Sequence, residues 1–203
     1  MIGVIDYRAG NAPSVGYALE RLGVPHRLVA DPDALPGVER IILPGVGAAR
    51  ATLDSLAETG LVEPLTELVV NGHVPFLGIC IGLQVLLERS EEGGVDCLGW
   101  VPGDVRRFPA TLRVPQIGWN AVKATRSHPV TDGLGDDAYC YFVNSYFADP
   151  ADAGDVLGVT EYGAEFCSII GRDNLVATQF HAEKSGPVGL ALLERFSRWD
   201  GSC

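Results

Sequence analysis

Val74-Pro75-Phe76-Leu77-Gly78-Ile79-Cys80-Ile81-Gly82-Leu83-Gln84 reads as an apolar strand from Val74 to Ile79 that turns sharply at Cys80. A helix is expected to follow, from about Ile81 to Arg89. Gly78-Ile79-Cys80-Ile81-Gly82 is the cysteine counterpart of G-x-S-x-G, in which a nucleophile sits on a strained strand-to-helix bend at the carboxyl end of a sheet. The flanking glycines remove side chains that would block the bend and its close packing. A helix starting there points unpaired N–H groups and a positive partial charge at the sulfur, which favours a thiolate. The N–H of Ile81 can help to hold an oxyanion. Taken alone, the motif also describes a buried thiol between two packing glycines.

A second segment bears on that choice. Val176-Ala177-Thr178-Gln179-Phe180-His181-Ala182-Glu183-Lys184-Ser185 reads as a strand leading to His181, with Glu183 two residues on. A thiol nucleophile needs a base, and the base needs a third group to fix its tautomer and orientation. In an extended segment, residues i and i+2 lie on the same side, so His181 and Glu183 can stay together. By themselves they equally describe a solvated surface pair. Joined to the elbow, they read as the base and orienting carboxylate of Cys80.

The surrounding pattern places this elbow in an α/β fold. Ile2 to Ile5, Arg27 to Ala30 and Arg40 to Leu43 read as strands. They alternate with helices over Asn11 to Leu22, Ala49 to Glu58 and Leu61 to Asn71. Such alternation indicates a mostly parallel central sheet with right-handed crossovers. The second half is β-rich. Strands are expected over Val101 to Phe108, Trp119 to Ala124, Tyr139 to Ala148, Val156 to Glu161, Phe166 to Ile170 and Leu175 to Phe180. Gly171-Arg172-Asp173-Asn174 is a hairpin turn, and a last helix runs from about Pro187 to Trp199. The expectation is one domain over residues 1–203: a flavodoxin-like, mostly parallel sheet flanked by helices, with an added antiparallel portion.

Composition narrows the partners. The chain has 203 residues and a formal net charge of -11, which disfavours nucleic acid and anionic membranes. No apolar run approaches the ~20 residues needed to cross a bilayer. The start MIGVIDYRAG lacks the features of a secretory signal, so none is expected. The five cysteines Cys80, Cys97, Cys140, Cys167 and Cys203 form no CxxC pair, which fits free thiols in the cytoplasm. No His, Cys and carboxylate cluster has metal-ligand spacing, and no G-x-G-x-x-G or P-loop is present. No metal and no cofactor are therefore expected.

Pro75-x-x-Gly78-Ile79-Cys80-x-Gly82-x-Gln84, followed by Phe180-His181-x-Glu183, resembles the class I glutamine amidotransferases; Leu43-Pro44-Gly45-Val46-Gly47 resembles their oxyanion strand. Further matching segments run in order along nearly the whole chain. They are Asp6-Tyr7 with Gly10-Asn11, Glu88 to Gly93, Pro102 to Val105 with Arg107-Phe108-Pro109, Val114 to Asn120, Tyr141 to Tyr146, and Glu183 to Gly186. The resemblance implies that Cys80, His181 and Glu183 hydrolyse the side-chain amide of L-glutamine through a glutamyl thioester. It implies oxyanion donors at Val46, Gly47 and Ile81, and glutamine-binding residues at Gly47, Gln84, Glu92, Ser145 and Tyr146. It also implies a heterodimer in which ammonia passes to a (β/α)8-barrel cyclase subunit that makes imidazole glycerol phosphate for histidine synthesis.

Tyr7, Asn11, Trp119 and Asn120 are the residues expected at that partner interface. Tyr7 and Asn11 follow the first strand, where partners and ligands gather in open α/β sheets. Loop and helix-cap duty is their plainer reading. Trp119 has polar or small neighbours, and exposed aromatics are enriched at interfaces. Two positions depart from the family pattern: Ala182 replaces the usual proline after His181, and Gln116 stands where histidine is common, in a segment that resembles a partner-facing region. Three other functions stand beside the main one. They are a glutaminase serving another synthase such as a sugar amidotransferase, a non-catalytic regulatory subunit, and a cysteine hydrolase acting on a different amide or ester.

Overall fold

The computed structural model describes residues 1–8, 11–135 and 138–202. Gly10 and Cys203, both named above, lie outside those residues. The first half alternates β1 (Ile2–Ile5), α1 (Ala12–Arg21), β2 (His26–Val29), β3 (Arg40–Gly45), α2 (Ala49–Glu58) and α3 (Val62–Thr66). The chain continues from α3 through a wider π-helical turn (Glu67–Asn71) into β4 (Phe76–Cys80) and α4 (Ile81–Gln84). The second half holds β5 (Arg89–Ser90), β6 (Val95–Asp96), β7 (Gly103–Arg107), β8 (Gln116–Ala121), β9 (Lys123–Ala124), β10 (Tyr139–Asn144) and β11 (Tyr146–Pro150). It ends with β12 (Val156–Glu161), β13 (Glu165–Arg172), β14 (Leu175–Thr178) and α5 (Gly186–Arg198).

Five strands, in the order β2-β1-β3-β4-β14, run parallel. This is the doubly wound arrangement expected from the sequence, and its carboxyl edge is where such sheets bind ligands. Beyond β14 the sheet turns antiparallel through β13, β11 and β7. β8 and β10 pair separately as a small antiparallel sheet.

Alternate residues of the central strands feed two cores. Ile41 and Leu43 of β3 join Leu56, Leu65 and Val69 on one face. Ile42 joins Val15, Leu19, Leu192, Leu193 and Phe196 of α1 and α5 on the other. Strands buried on both faces read as continuous apolar runs for this reason. The expected hairpin turn is present: Arg172 pairs with Leu175, and Asp173 takes a positive φ of 48°.

Three expectations are corrected. The helix after Cys80 stops at Gln84 rather than near Arg89. The N–H groups of Leu86 and Leu87 turn to carbonyls three residues back, Leu83 O and Gln84 O, and that of Glu88 leaves the helix for Gly103 O, so the i to i−4 ladder is broken; the carbonyls of Val85 to Glu88 accept from N–H groups of residues 97 to 101. The single strand expected over Tyr139 to Ala148 is two strands in two sheets, broken at Ser145. Trp119 to Ala124 divides in the same way, between β8 and β9.

Candidate active site

Cys80 ends β4 and caps the start of α4 with φ 57° and ψ -106°, a conformation that costs a non-glycine residue roughly 1–3 kcal/mol. The surroundings enforce it. Gly45 of β3 lies in register with Cys80 of β4. A Cβ on Gly78 would lie 2.6 Å from the carbonyl oxygen of Gly82. A Cβ on Gly82 would overlap the carbonyl oxygen of Leu43. The glycines on both sides of the cysteine are therefore demanded by backbone-to-backbone approach.

Cys80 opens into a cavity of about 290 Å³ at the carboxyl edge of the sheet. Val46, Gly47, Ile81, Gln84, Glu92, Ser145, Tyr146 and His181 also line it. Every residue that the sequence associated with oxyanion or glutamine binding thus reaches the same space as Cys80. A larger concavity of about 690 Å³, with His73, Arg126 and Arg172 in its wall, lies at the opposite, amino-terminal edge and contains none of these residues.

His181 donates or shares its Nδ1 hydrogen with Glu183 Oε1 at 2.8 Å, and both side chains are almost fully buried, at 3% and 0% exposure. The surface-pair alternative is thereby excluded. The geometry differs from the expected extended segment: β14 ends at Thr178, and Ala182–Lys184 forms a 3-10 turn that swings Glu183 back beneath the ring. Burial presses the imidazole towards its neutral form. Hydrogen bonds to Cys80 and Glu183, and their charges, outweigh that pressure and lift the His181 pKa to about 10.

Ala182 leaves the backbone of His181 well held despite the missing proline. The His181 N–H donates to Tyr141 O at 3.0 Å, and Ser185 Oγ donates to His181 O at 2.7 Å. Ser185 Oγ in turn accepts the N–H of Tyr141.

Both hydrogens of the Gln84 amide are committed, to Tyr146 O at 3.1 Å and to Gln179 Oε1 at 3.0 Å. What Gln84 offers the cavity is its carbonyl oxygen, an acceptor. Glu92 Oε2 accepts the N–H of Ala49 at 3.0 Å, at the positive end of α2. Gly47 has φ 100°, open to glycine and strained for other residues, beside a Val46 that is 42% exposed.

The interface residues divide. Trp119 is 53% exposed, on the outer face of the small sheet with Ile117 and Val143. Tyr7 is wholly buried and cannot meet a partner's surface: its ring occupies the space that Gly45 leaves vacant, and burial pushes its phenol up to about 12. Asn120 projects from the opposite face of β8 to Trp119; its Oδ1 accepts from Gln116 Nε2 at 2.9 Å. Gln116 is itself buried, so its segment is partner-facing only through alternate residues. Asn11 stands at the head of α1 without capping it through its side chain. Instead its Nδ2 donates to Glu183 Oε1 at 2.6 Å.

Sequence reading missed Gln179 and Asn144. Asn144 lines the cavity and donates to Tyr146 O at 3.0 Å. Gln179 is wholly buried, with Nε2 3.8 Å from Cys80 Sγ. Its signal in the sequence is proximity alone: Gln179 stands two residues before His181.

Comparison with known proteins agrees with this geometry. Residues 4–198 match the family described as Glutamine amidotransferase class-I. The chain is 45% identical over 197 residues to imidazole glycerol phosphate synthase subunit HisH of Dehalococcoides mccartyi, covering 97% of this chain and 96% of that one. It is 50% identical over 194 residues to the subunit of the same name from Herpetosiphon aurantiacus, covering 95% and 91%. A crystal structure described as a glutamine amidotransferase superposes with a TM-score of 0.75 at 22% identity, covering 96% of each chain, and shares the fold.

Proposed function

As this chain belongs to the class I glutamine amidotransferase family, we propose that it is the glutaminase subunit of an imidazole glycerol phosphate synthase, with residues 1–203 acting as one amidotransferase domain. The observation that carries this reading is the meeting of the elbow cysteine with a buried His–Glu pair in a cavity walled by Gln84 and Glu92. A non-catalytic subunit has no use for a buried histidine–carboxylate pair beside a strained cysteine.

Cys80 attacks the side-chain amide carbon of glutamine as a thiolate. The developing oxyanion is held by the N–H of Ile81 and by the Val46-Gly47 segment. Protonated His181 gives its proton to the departing nitrogen, and ammonia leaves a glutamyl thioester on Cys80. Neutral His181 then takes a proton from water as that water attacks the thioester, which releases glutamate and restores the thiolate. Glu183 keeps the ring oriented and stabilises its charged form. Gln84 Oε1 and Glu92 suit the α-ammonium of the substrate, while the backbone at Ser145 and Tyr146 faces its α-carboxylate.

Ammonia is of use only if it reaches an acceptor. The outer face of β8 and β10 exposes Ile117, Trp119, Tyr139 and Val143, at 63%, 53%, 52% and 38%. An apolar and aromatic strip of this kind suits docking to a (β/α)8-barrel cyclase subunit. Free thiols at Cys80, Cys97, Cys140 and Cys167 suit the reducing cytoplasm. Among the described residues, no helix is long and apolar enough to cross a membrane.

The test is glutamate release from glutamine by the purified protein, with and without the cyclase and its ribonucleotide ligand. Activity that rises with the liganded cyclase and disappears in Cys80→Ala is the expected result. Activity indifferent to the cyclase would assign the glutaminase to another synthase. Its absence under all conditions would leave a regulatory subunit.

A further inference from the structure

Gln179 lies on the protein side of the Cys80 sulfur, with no exposed surface and outside the cavity wall. Its amide orientation is dictated by its neighbour. Gln84 Nε2 donates to Gln179 Oε1 at 3.0 Å, so the atom turned to Cys80 Sγ at 3.8 Å is Nε2, a donor. Gln84 is itself anchored by Tyr146 O, which also receives Asn144 Nδ2. The backbone of Gln179 is held by its N–H to Ser168 O at 2.9 Å. The result is a chain of amides running from the cavity wall at Tyr146, through Gln84 and Gln179, to the nucleophile.

We propose that Gln179 is a second hydrogen-bond donor to the Cys80 sulfur, one that holds the thiolate from behind while His181 faces it from the cavity. This rests on the reading of Cys80 as the nucleophile. Thiolate sulfur accepts hydrogen bonds better than neutral thiol, so a fixed N–H donor favours the charged form and limits the directions in which the sulfur can point. The donor is held by protein groups alone, since Gln84 fixes the side-chain amide and Ser168 O the backbone N–H of Gln179. Gln84 consequently has two tasks: its carbonyl oxygen faces the substrate, and its nitrogen aims Gln179. His181 and Tyr7 both feel the charge of Cys80, and among the described residues neither is hydrogen-bonded to Gln179.

The test is alkylation of Cys80 by iodoacetamide, followed by mass spectrometry of the peptide that carries it, in the wild type, Gln179→Met and Gln179→Glu. Gln179→Met keeps the length of the side chain and removes the donor. Its Cys80 is expected to react about tenfold more slowly at pH 7, with the gap closing at high pH where the thiol ionises without help. The kcat for glutamate release is expected to fall in step. Gln179→Glu keeps the acceptor for Gln84 and the volume while placing a carboxylate at the sulfur, and is expected to be slower still. Should Gln179→Met fail to fold, this isosteric variant decides. Wild-type alkylation and kcat in the folded variants would overturn the proposal and reduce Gln179 to packing. Undiminished glutaminase in Cys80→Ala would instead overturn the reading on which it rests.

Discussion

Asn11 and Glu183 are joined by a 2.6 Å hydrogen bond across 172 residues of sequence, and the acceptor is the same Oε1 that holds His181 Nδ1. Oε2 of that carboxylate is buried and has no partner among the described residues. One oxygen therefore carries the whole load of orienting the pair, and Asn11 fixes where that oxygen sits. It does so instead of capping α1.

Replacing Asn11 should accordingly reach the chemistry without touching substrate. Asn11→Ala is expected to lower kcat by about tenfold, ~1.4 kcal/mol in the barrier, with KM little changed. Asn11→Asp should be worse, because it sets a second carboxylate against Glu183. Steady-state glutaminase kinetics on both variants check this; kcat equal to wild type in Asn11→Ala would reject it.

Glu183→Gln should lower kcat by about 10² to 10⁴-fold, in the range seen when a triad's orienting carboxylate loses its charge. It should also move the alkaline limb of the pH profile. Burial pushes His181 down, while the bonds and charges of Cys80 and Glu183 lift it to about 10. Removing the Glu183 charge lets burial count for more, so His181 sheds its proton at lower pH and the alkaline limb shifts to lower pH. The stability that the raised pKa lends the fold is complete below the unfolded value of 6.5 and lost as pH rises towards 10. A pH–rate profile of the variant with an unmoved alkaline limb would count against this role.

His128 ties stability to acid. It is 1% exposed, its Nδ1 accepts the N–H of Val130, and Nε2 has no partner among the described residues. Burial, followed by the nearby charge of Arg126 and opposed by Asp132, presses its pKa from 6.5 down to about 4. The unfolded chain therefore binds a proton that the folded chain refuses. Stability is full above pH 6.5 and is lost as pH falls towards 4, by at most about 3 kcal/mol. Urea midpoints at pH 7 and pH 5 should differ less in His128→Asn than in the wild type. Equal differences in the two proteins would sink the assignment.

Gly82→Ala should be severely destabilising. The new methyl would overlap the carbonyl oxygen of Leu43, a backbone atom locked into β3, and neither element can yield alone. A cost of about 3 kcal/mol or more is expected, a fall in Tm of roughly 6–12 °C. Thermal unfolding followed by circular dichroism measures it, and a Tm within two degrees or so of wild type would contradict the packing argument.

Trp119→Ala with Ile117→Ser should weaken binding to the cyclase at least tenfold and leave the Tm and the cyclase-free glutaminase rate unchanged, since both side chains are more than half exposed. Isothermal titration against the cyclase subunit checks it. Undiminished affinity would place the docking surface elsewhere.

The order of strands and helices in the first half, and the elbow itself, were legible in the sequence because both are local. Strands buried on two faces are continuous apolar runs, and a nucleophile on a tight bend needs small neighbours within two residues of it. His181 and Glu183 were legible as a pair for the same reason, although a 3-10 turn rather than an extended strand brings them together. The tertiary structure decided what depends on partners distant in the chain. The helix after Cys80 ends at Gln84, and the backbone beyond it is tied to later segments, the Glu88 N–H to Gly103 O and the carbonyls of Val85 to Glu88 to residues 97 to 101. Tyr7 is interior because Gly45 leaves room for its ring, and Asn11 belongs to the triad because α1 begins beside Glu183. Backbone periodicity and sterics act over a few residues and leave a readable pattern, whereas a hydrogen bond between residues 11 and 183 exists only once the folded sheet has brought them together.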